Sequence, residues 1–284
     1  MNTRYRALSI IAALFVIFSA DDAFARSFRV EISPKVIRQG DAFLVRVTGR
    51  NSPAVPTATV ATKTIQFSKC GEGCFIGIGA VGIDAKTGDY PVRVTAGKTK
   101  KTMKLIVKKA SVQTLALSLP EGKVTLSPAD LEIVKEENIM LESRFLTVSE
   151  RQWEGVFRIP ADNEISTAFG TKRIMNKTWT SIHRGVDIRG SEGDEVRASN
   201  NGTVVLAREL FFGGNTIILD HGQGIYTLYM HLSQMNVRPG DPVVKGDIIG
   251  LLGSTGRATG PHLHFGVKVS NVSVNPLSLL KLDL

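Results

Sequence analysis

Short runs of valine, isoleucine and threonine, separated by glycine turns, limit most strongly what this 284-residue chain can fold into. Residues 42–48 (AFLVRVT), 90–95 (YPVRVT) and 102–108 (TMKLIVK) are such runs in the N-terminal half. The C-terminal half repeats Gly-Asp turns at Gly193 and Gly240. Short strands with turn signals between them are typical of all-β domains. We therefore predict a mainly β protein, with an immunoglobulin-like β-sandwich followed by a domain with an antiparallel β-sheet core.

A helix is predicted between the two β regions. Ser127 is a suitable N-cap, Pro128 fits the first helical position, and Asp130 suits the positive end of the helix dipole. Apolar residues then recur at helical spacing, so we expect an amphipathic helix over about 128–147, whose glutamates, Glu137 among them, face the solvent. The predicted boundaries are a signal peptide 1–25, a β-sandwich 26–110, a connector 111–157 and a C-terminal domain 158–284.

The first 25 residues have the layout of an export signal. Arg4 and Arg6 precede an apolar run, residues 7–20, and residues 23–25 form an A-x-A cleavage site. The run of 14 residues is short for a membrane span, and an uncleaved anchor is the alternative interpretation. We predict an exported protein with no stable membrane span after cleavage. The periplasm is the expected location, with secretion or attachment to the cell envelope as the alternative.

The net charge of +9 is concentrated in the first half of the mature chain. Residues 26–110 carry 16 Lys and Arg but 5 Asp and Glu, whereas residues 111–284 carry 17 and 19. Nucleic acid is not an expected partner of an exported protein. Anionic envelope polymers or phospholipid head groups are better candidates for the basic surface, and a merely solvated face is the alternative.

The two cysteines, Cys70 and Cys74, flank a glycine-rich stretch. Exported proteins meet oxidising conditions, so a short disulfide across a hairpin tip is the favoured interpretation. A second zinc site would need further ligands that a lone C-x₃-C does not supply. Two free structural thiols are the remaining alternative.

Histidine and aspartate side chains in the C-terminal domain have a spacing that favours metal chemistry. His183 and Asp187 lie four residues apart, and His262 and His264 lie two apart, so each pair shares one face of an extended strand. A catalytic zinc ion needs three protein ligands and one open position. With His231, these residues exceed that number, and spacing alone does not say which of His262 and His264 binds metal.

The C-terminal domain resembles the lysostaphin-type (LytM-type) zinc metallopeptidases over about residues 158–282. Several signatures occur in the order typical of that family, which makes the resemblance more specific than a lone motif. They are residues 166–173 (STAFGTKR), 183–188 (HRGVDI), 220–233 (DHGQGIYTLYMHLS) and 253–265 (GSTGRATGPHLHF).

The resemblance implies a division of labour among these side chains. His183, Asp187 and His264 would bind one zinc ion per chain, as the H-x₃-D motif and the second histidine of H-x-H do in the family. His262 and His231 would be the catalytic pair that takes the proton of the attacking water and delivers one to the leaving amine.

Two further positions are candidates for substrate binding. Asn215 matches a family position near the groove, although a role in a turn is as plausible. Arg173 follows Lys172, and many relatives have one arginine at the lysine position, so either residue could face the groove. Gly266 stands where a non-ligand glutamate is common in the family, and His221 has no predicted catalytic role.

The resemblance implies an endopeptidase that hydrolyses peptide cross-links or stem peptides of peptidoglycan. The export signal and the β-sandwich favour cross-links of the D-Ala–diaminopimelate type. One alternative is an inactive activator of another cell-wall hydrolase, and a second is a wall-binding module in residues 26–110. We also expect that the connector 111–157 could cover the groove.

Overall fold

The computed structural model describes residues 28–49, 54–118, 125–177 and 179–284. The predicted signal peptide, residues 1–25, lies outside this part of the chain. In the residues that are described, no helix is long and apolar enough to cross a membrane.

The N-terminal region is built from short strands, as the alternating runs predict. Leaving residues 50–53 aside, the strands are β1 (Arg29–Ser33), β2 (Val36–Arg38), β3 (Ala42–Thr48), β4 (Thr57–Val60), β5 (Lys63–Ile65), β6 (Ser68–Gly71), β7 (Cys74–Ala80), β8 (Gly88–Ala96) and β9 (Thr99–Lys108). They form two sheets, with the orders β1-β3-β7-β6 and β2-β9-β8-β4-β5.

The two sheets enclose an apolar core that includes Phe43, Val45, Val92 and Leu105, none of them exposed to solvent. In immunoglobulin folds one sheet holds the first, second, fifth and fourth strands, and the other holds the third, sixth and seventh. The observed sheets have this arrangement, with β2 added in parallel to β9 and β5 added in antiparallel to β4. The prediction of a mainly β chain with an N-terminal immunoglobulin-like sandwich is confirmed.

A disulfide joins Cys70 and Cys74 across the turn between β6 and β7. Their Cα atoms lie 5.1 Å apart, a usual separation for a disulfide. The hairpin disulfide that the sequence favoured is therefore the pairing found in the structure.

One helix and a short strand make up most of the described connector. The strand β10 (Thr114–Leu117) pairs in parallel with a strand of the C-terminal domain, and the helix α1 covers Pro128–Phe145. Ser127 and Asp130 form a capping box, with Asp130 N donating to Ser127 Oγ at 3.1 Å. Only Phe145 is buried, and Leu131 is 55% exposed, because α1 contacts the adjacent sheet along one narrow stripe.

Glu137 does not lie on a purely solvated face of α1. Its carboxylate accepts hydrogen bonds from the backbone N–H of Phe211 at 3.0 and 3.1 Å. The sequence pattern missed this contact because Phe211 lies in the turn of a hairpin far along the chain.

The C-terminal domain is an antiparallel sheet with one smaller sheet beside it. Its strands are β11 (Ile165–Thr167), β12 (Lys172–Met175), β13 (Trp179–Ile182), β14 (Gly185–Arg189), β15 (Glu195–Arg197), β16 (Gly202–Leu210), β17 (Gly214–Asp220), β18 (Ile225–Met235), β19 (Pro242–Val243), β20 (Ile248–Leu252), β21 (His262–Val269) and β22 (Val272–Val274), followed by the helix α2 (Pro276–Leu280). The main sheet has the order β11-β14-β21-β18-β17-β16-β19 and also includes β15, β20 and β22, whereas β10, β12 and β13 form a three-stranded sheet.

The repeated Gly-Asp turns share one hydrogen-bond pattern. The backbone N–H of Ser191 donates to Asp194 Oδ2 at 2.8 Å, and that of Arg238 donates to Asp241 Oδ2 at 2.7 Å. The glycine before each aspartate has a φ of 94° or 97°, a left-handed conformation that glycine adopts at little cost. The repeated Gly-Asp motif in the sequence therefore marks tight turns of the same geometry.

The β-sandwich and the C-terminal domain share a hydrophobic core. In β3 the side chains of Phe43 and Val45 point into the sandwich, whereas Leu44 packs in a cluster with residues of the C-terminal domain. Ile76 and Ile78 of β7 belong to the same joint cluster. Both faces of these strands are thus buried. Because the two regions share a core, the predicted boundaries between domains stay predictions.

Candidate active site

Three donor atoms meet at one point of the main sheet. His183 Nε2 lies 2.9 Å from Asp187 Oδ1 and 2.9 Å from His264 Nδ1, and His264 Nδ1 lies 3.0 Å from Asp187 Oδ1. Ligands at about 2.0–2.2 Å from a tetrahedral zinc ion are separated by about 3.3–3.6 Å, so the donor atoms here lie a few tenths of an ångström closer together than ligands of a bound ion. Two imidazoles and a carboxylate that converge in a near-equilateral triangle could hold a metal ion after a small outward shift.

The neighbours of these side chains turn the donor atoms towards one another. His183 Nδ1 donates to the carbonyl of Ala168 at 3.0 Å, which leaves the lone pair on Nε2 free. Arg173 Nη2 donates to Asp187 Oδ2, so Oδ1 is the oxygen that faces the histidines. Burial raises the pKa of Asp187, but hydrogen bonds and charges of His183 and His264 outweigh it and hold that pKa well below its usual range. The carboxylate is therefore ionised.

Strand register brings these residues together. β14 and β21 are antiparallel neighbours, and Asp187 lies directly opposite His264. Leu263, between the two histidines of β21, is fully buried in the core on the other face of the sheet. Gly185 faces the ring of His264, and a Cβ there would lie 2.7 Å from Nε2, so only glycine leaves room for the imidazole.

A β-bulge directs His231 into the same site. Between the pairs Tyr229–Ile217 and Leu232–Asn215, β18 advances by three residues while β17 advances by two. His231 has a φ of 66°, which is left-handed and uncommon outside glycine. Strict alternation would place His231 on the core face with Tyr229. The extra residue returns it to the face that carries His264, with ring centroids 6.2 Å apart.

Backbone hydrogen bonds orient the rings of His231 and His262 so that Nε2 can accept a proton. His231 Nδ1 donates to the carbonyl of Thr255 at 2.9 Å, and His262 Nδ1 donates to that of Gly260 at 2.8 Å. The neutral ring then carries its lone pair on Nε2. The two ring centroids lie 4.7 Å apart. Burial, followed by the nearby His262 and His264, lowers the pKa of His231 to about 3, so it is neutral near pH 7.

Two adjoining cavities flank this centre and form a groove. Arg173, His231 and Arg257 line both of them. The connector supplies part of each wall: Leu115 of β10 lines one cavity, and residues of α1 line the other. The α1 residues are Val134, Glu137, Asn138 and Leu141. The connector therefore forms part of the sides of the groove, and the hypothesis that it covers the groove stays a prediction.

The two residues predicted to contact substrate, Arg173 and Asn215, have different surroundings. Arg173 faces the groove, where it bonds to Asp187, whereas Lys172 is exposed. Asn215 Nδ2 donates to the carbonyls of Leu232 at 3.1 Å and Ser233 at 3.4 Å, which fixes the chain just after the bulge. The Asn215 amide is thus engaged within the protein, which does not support the prediction that it contacts substrate directly.

Leu115 and Arg257 are among the residues of the groove wall that sequence reasoning missed. Arg257 lies inside the signature 253–265, and a cation so close to His262 is the signal that could have singled it out. Leu115 reaches the groove because β10 of the connector pairs with β12 of the C-terminal domain. No local sequence pattern indicates this pairing.

His221 lies outside the site and belongs to a buried polar chain. Its Nδ1 donates to the carbonyl of Asn201 at 2.6 Å, and its Nε2 accepts from Thr227 Oγ1 at 2.7 Å. The hydroxyl of Tyr229 contacts Thr227 Oγ1 at 2.9 Å and accepts from the N–H of Ser199 at 2.9 Å. His221 has no predicted catalytic role, and its contacts are structural.

We expect His221 to make the protein sensitive to acid. Burial lowers the pKa of His221 to about 4 from its ordinary 6.5. Below pH 6.5 the unfolded chain binds a proton that the folded chain refuses, so the free energy of unfolding falls until about pH 4 and then levels off. This group accounts for about 3 kcal/mol of that fall. Urea unfolding of wild type and His221→Gln between pH 7 and 4 measures it, and equal slopes would contradict the assignment.

Comparisons with known proteins are consistent with this geometry. Residues 181–276 match the sequence model of Peptidase family M23. The DD-carboxypeptidase/endopeptidase Mpg of Neisseria meningitidis is 39% identical over 116 residues, which are 40% of this chain and 26% of Mpg. The peptidoglycan DD-endopeptidase ShyA of Vibrio cholerae is 38% identical over 123 residues, 42% of this chain and 29% of ShyA. This chain thus spans less than a third of the length of these relatives.

A solved structure extends the similarity beyond the matched residues. A crystal structure from Pseudomonas aeruginosa, described as a peptidase M23, is 25% identical in sequence with a TM-score of 0.65. The superposition covers 81% of this chain and 90% of that one. It therefore includes a large part of the chain outside residues 181–276.

Proposed function

Residues 181–276 of this chain form a domain of peptidase family M23, and from this premise we propose that the protein is a zinc-dependent endopeptidase that hydrolyses peptide bonds of peptidoglycan. The observation that supports the proposal most directly is the triangle of donor atoms with two further imidazoles beside it. A structural metal site would be closed by a fourth protein ligand, whereas a catalytic site has three and an open position.

His183, Asp187 and His264 are the residues that would hold one zinc ion. When bound, zinc supplies Lewis-acid chemistry, because it lowers the pKa of water to about 7 and polarises a carbonyl oxygen. Arg173 keeps Asp187 Oδ2 occupied, so that one carboxylate oxygen is presented to the ion. The carbonyl of Ala168 sets the tautomer of His183 in the same way.

His231 and His262 act on protons and on the substrate oxygen. Each has a fixed Nδ1–H and a free Nε2, so one of them can take the proton of the attacking water. The protonated ring then donates a hydrogen bond to the developing oxyanion or passes the proton to the leaving amine. Burial lowers the pKa of His231, so its ring is neutral in the resting site and the Nε2 lone pair is available.

The proposed substrate is a D-Ala–diaminopimelate cross-link or a stem peptide of peptidoglycan. The names of the relatives support this choice, since ShyA is a peptidoglycan DD-endopeptidase and Mpg a DD-carboxypeptidase/endopeptidase. An export signal in residues 1–25 would bring the protein to this polymer, with the periplasm as the proposed location. The basic excess of residues 26–110 would favour contact with anionic envelope polymers.

Digestion of purified muropeptide dimers tests the proposal. We expect the mature protein with zinc to convert a D-Ala–diaminopimelate dimer into two monomers, identified by mass spectrometry. The His262→Ala variant is the matched control for a contaminating hydrolase. A zinc-loaded wild-type protein that leaves the dimer peak unchanged would overturn the proposed activity and favour the activator alternative.

A further inference from the structure

Arg257 is a half-buried cation at the point where the two cavities of the groove meet. It lies in the loop between β20 and β21, shortly before His262. With His231 it lines both cavities, and one of them also contains Asp187 and His262. Its guanidinium group is therefore next to the residues that would act on the scissile bond.

Phe212 holds this side chain in place. The guanidinium carbon of Arg257 lies 3.9 Å from the centroid of the Phe212 ring, and the backbone N–H of Arg257 donates to the carbonyl of Phe212 at 2.9 Å. Stacking on an aromatic face restricts the plane of a guanidinium group while its N–H donors remain available. Arg257 is thus positioned in advance for a planar anion.

No carboxylate of the described residues lies within 4.0 Å of the Arg257 guanidinium group to pair with it. The two acidic side chains of the groove walls are committed elsewhere, since Asp187 bonds to Arg173 and the histidines, and Glu137 accepts from Phe211 N. Burial and the like charge of Arg173 both lower the pKa of Arg257. A cation partly withdrawn from water beside another cation is unfavourable unless an anion joins it.

We propose that Arg257 binds a free carboxylate of the substrate on the leaving-amine side of the scissile bond, and that this contact selects the bonds that are cut. The inference rests on the proposed function and specifies its substrate class. In a D-Ala–diaminopimelate cross-link, the amide nitrogen is attached to a carbon that carries a carboxylate. With that amide at His231 and His262, the carboxylate reaches the part of the groove where Arg257 lies. A guanidinium group can donate two parallel hydrogen bonds to it.

The test uses two muropeptide dimers that differ only in whether this carboxylate is free or amidated. For the wild-type protein with zinc, we expect kcat/KM to be about 10- to 100-fold higher on the free acid, the range of a charge-assisted hydrogen bond. Arg257→Gln should lose this factor on the free acid and change little on the amide. Arg257→Lys should keep part of the preference, and Arg238→Gln, at an exposed turn, should match the wild type.

Binding measurements separate this inference from the proposed activity. Titration calorimetry of both dimers against the His262→Ala protein, with and without Arg257→Gln, does not require turnover. Tighter binding of the free acid that Arg257→Gln abolishes supports the contact even if the wild type proves inactive. Equal binding of acid and amide, or an equal loss on both with Arg257→Gln, overturns it. Zinc content and melting temperature verify that each variant is folded.

Discussion

Replacing His264 with alanine is expected to remove both the metal and the activity. The change deletes one of three donor atoms that lie within 3.0 Å of one another and leaves a histidine and a carboxylate. Loss of a partner that only orients a ligand costs about 10- to 100-fold in metal affinity, and loss of the ligand itself costs more. We expect less than about a tenth of a zinc ion per chain after dialysis, and hydrolysis of the dimer below about one-thousandth of the wild-type rate.

Elemental analysis of the dialysed protein together with the dimer assay measures these two losses. Circular dichroism is the control for folding, because His264 is packed against Gly185. A His264→Ala protein that keeps a full zinc ion would show that the metal lies elsewhere.

The second prediction concerns the neighbouring histidine on the same strand face. We expect His262→Ala to keep about one zinc ion per chain and to lose about 10²- to 10⁴-fold in kcat, the usual worth of a general acid or base. His262 Nε2 lies 3.9 Å from Asp187 Oδ1, outside the triangle of donor atoms, and its Nδ1–H is held by the carbonyl of Gly260. Its removal therefore takes away a proton acceptor and leaves the three donors in place.

The two variants are matched controls for each other, because both remove an imidazole from β21 two residues apart. Zinc content and kcat of both should be measured side by side. Zinc loss in His262→Ala with retention in His264→Ala would reverse the assignment that the resemblance implies.

The sequence predicted those features that depend on local periodicity. Alternation along β21 correctly placed His262 and His264 on one face and Leu263 in the core, because successive residues of a strand face opposite sides. The strands of the sandwich follow the same rule. The capping residues Ser127 and Asp130 marked the start of α1, since they satisfy backbone groups within the first turn.

Features that depend on distant contacts were not predictable in this way. Periodicity would put His231 in the core, and only the bulge against β17 brings it to the site. A glutamate such as Glu137 is expected on a solvated helix face. Its carboxylate instead accepts from the backbone N–H of Phe211, in the turn of a hairpin distant in sequence. Arg257 and Leu115 line the groove because strand pairing assembles it from separate parts of the chain.

The joint core of the two domains has a consequence for engineering this protein. Leu44, Ile76 and Ile78 of the β-sandwich cover apolar side chains of the C-terminal domain, which would face water if residues 158–284 were expressed alone. Such a fragment would tend to aggregate, and a low activity of it would say nothing about inhibition by the sandwich. Residues 158–284 are thus unsuited to transfer into another protein without the β-sandwich, because the sandwich supplies part of their hydrophobic core.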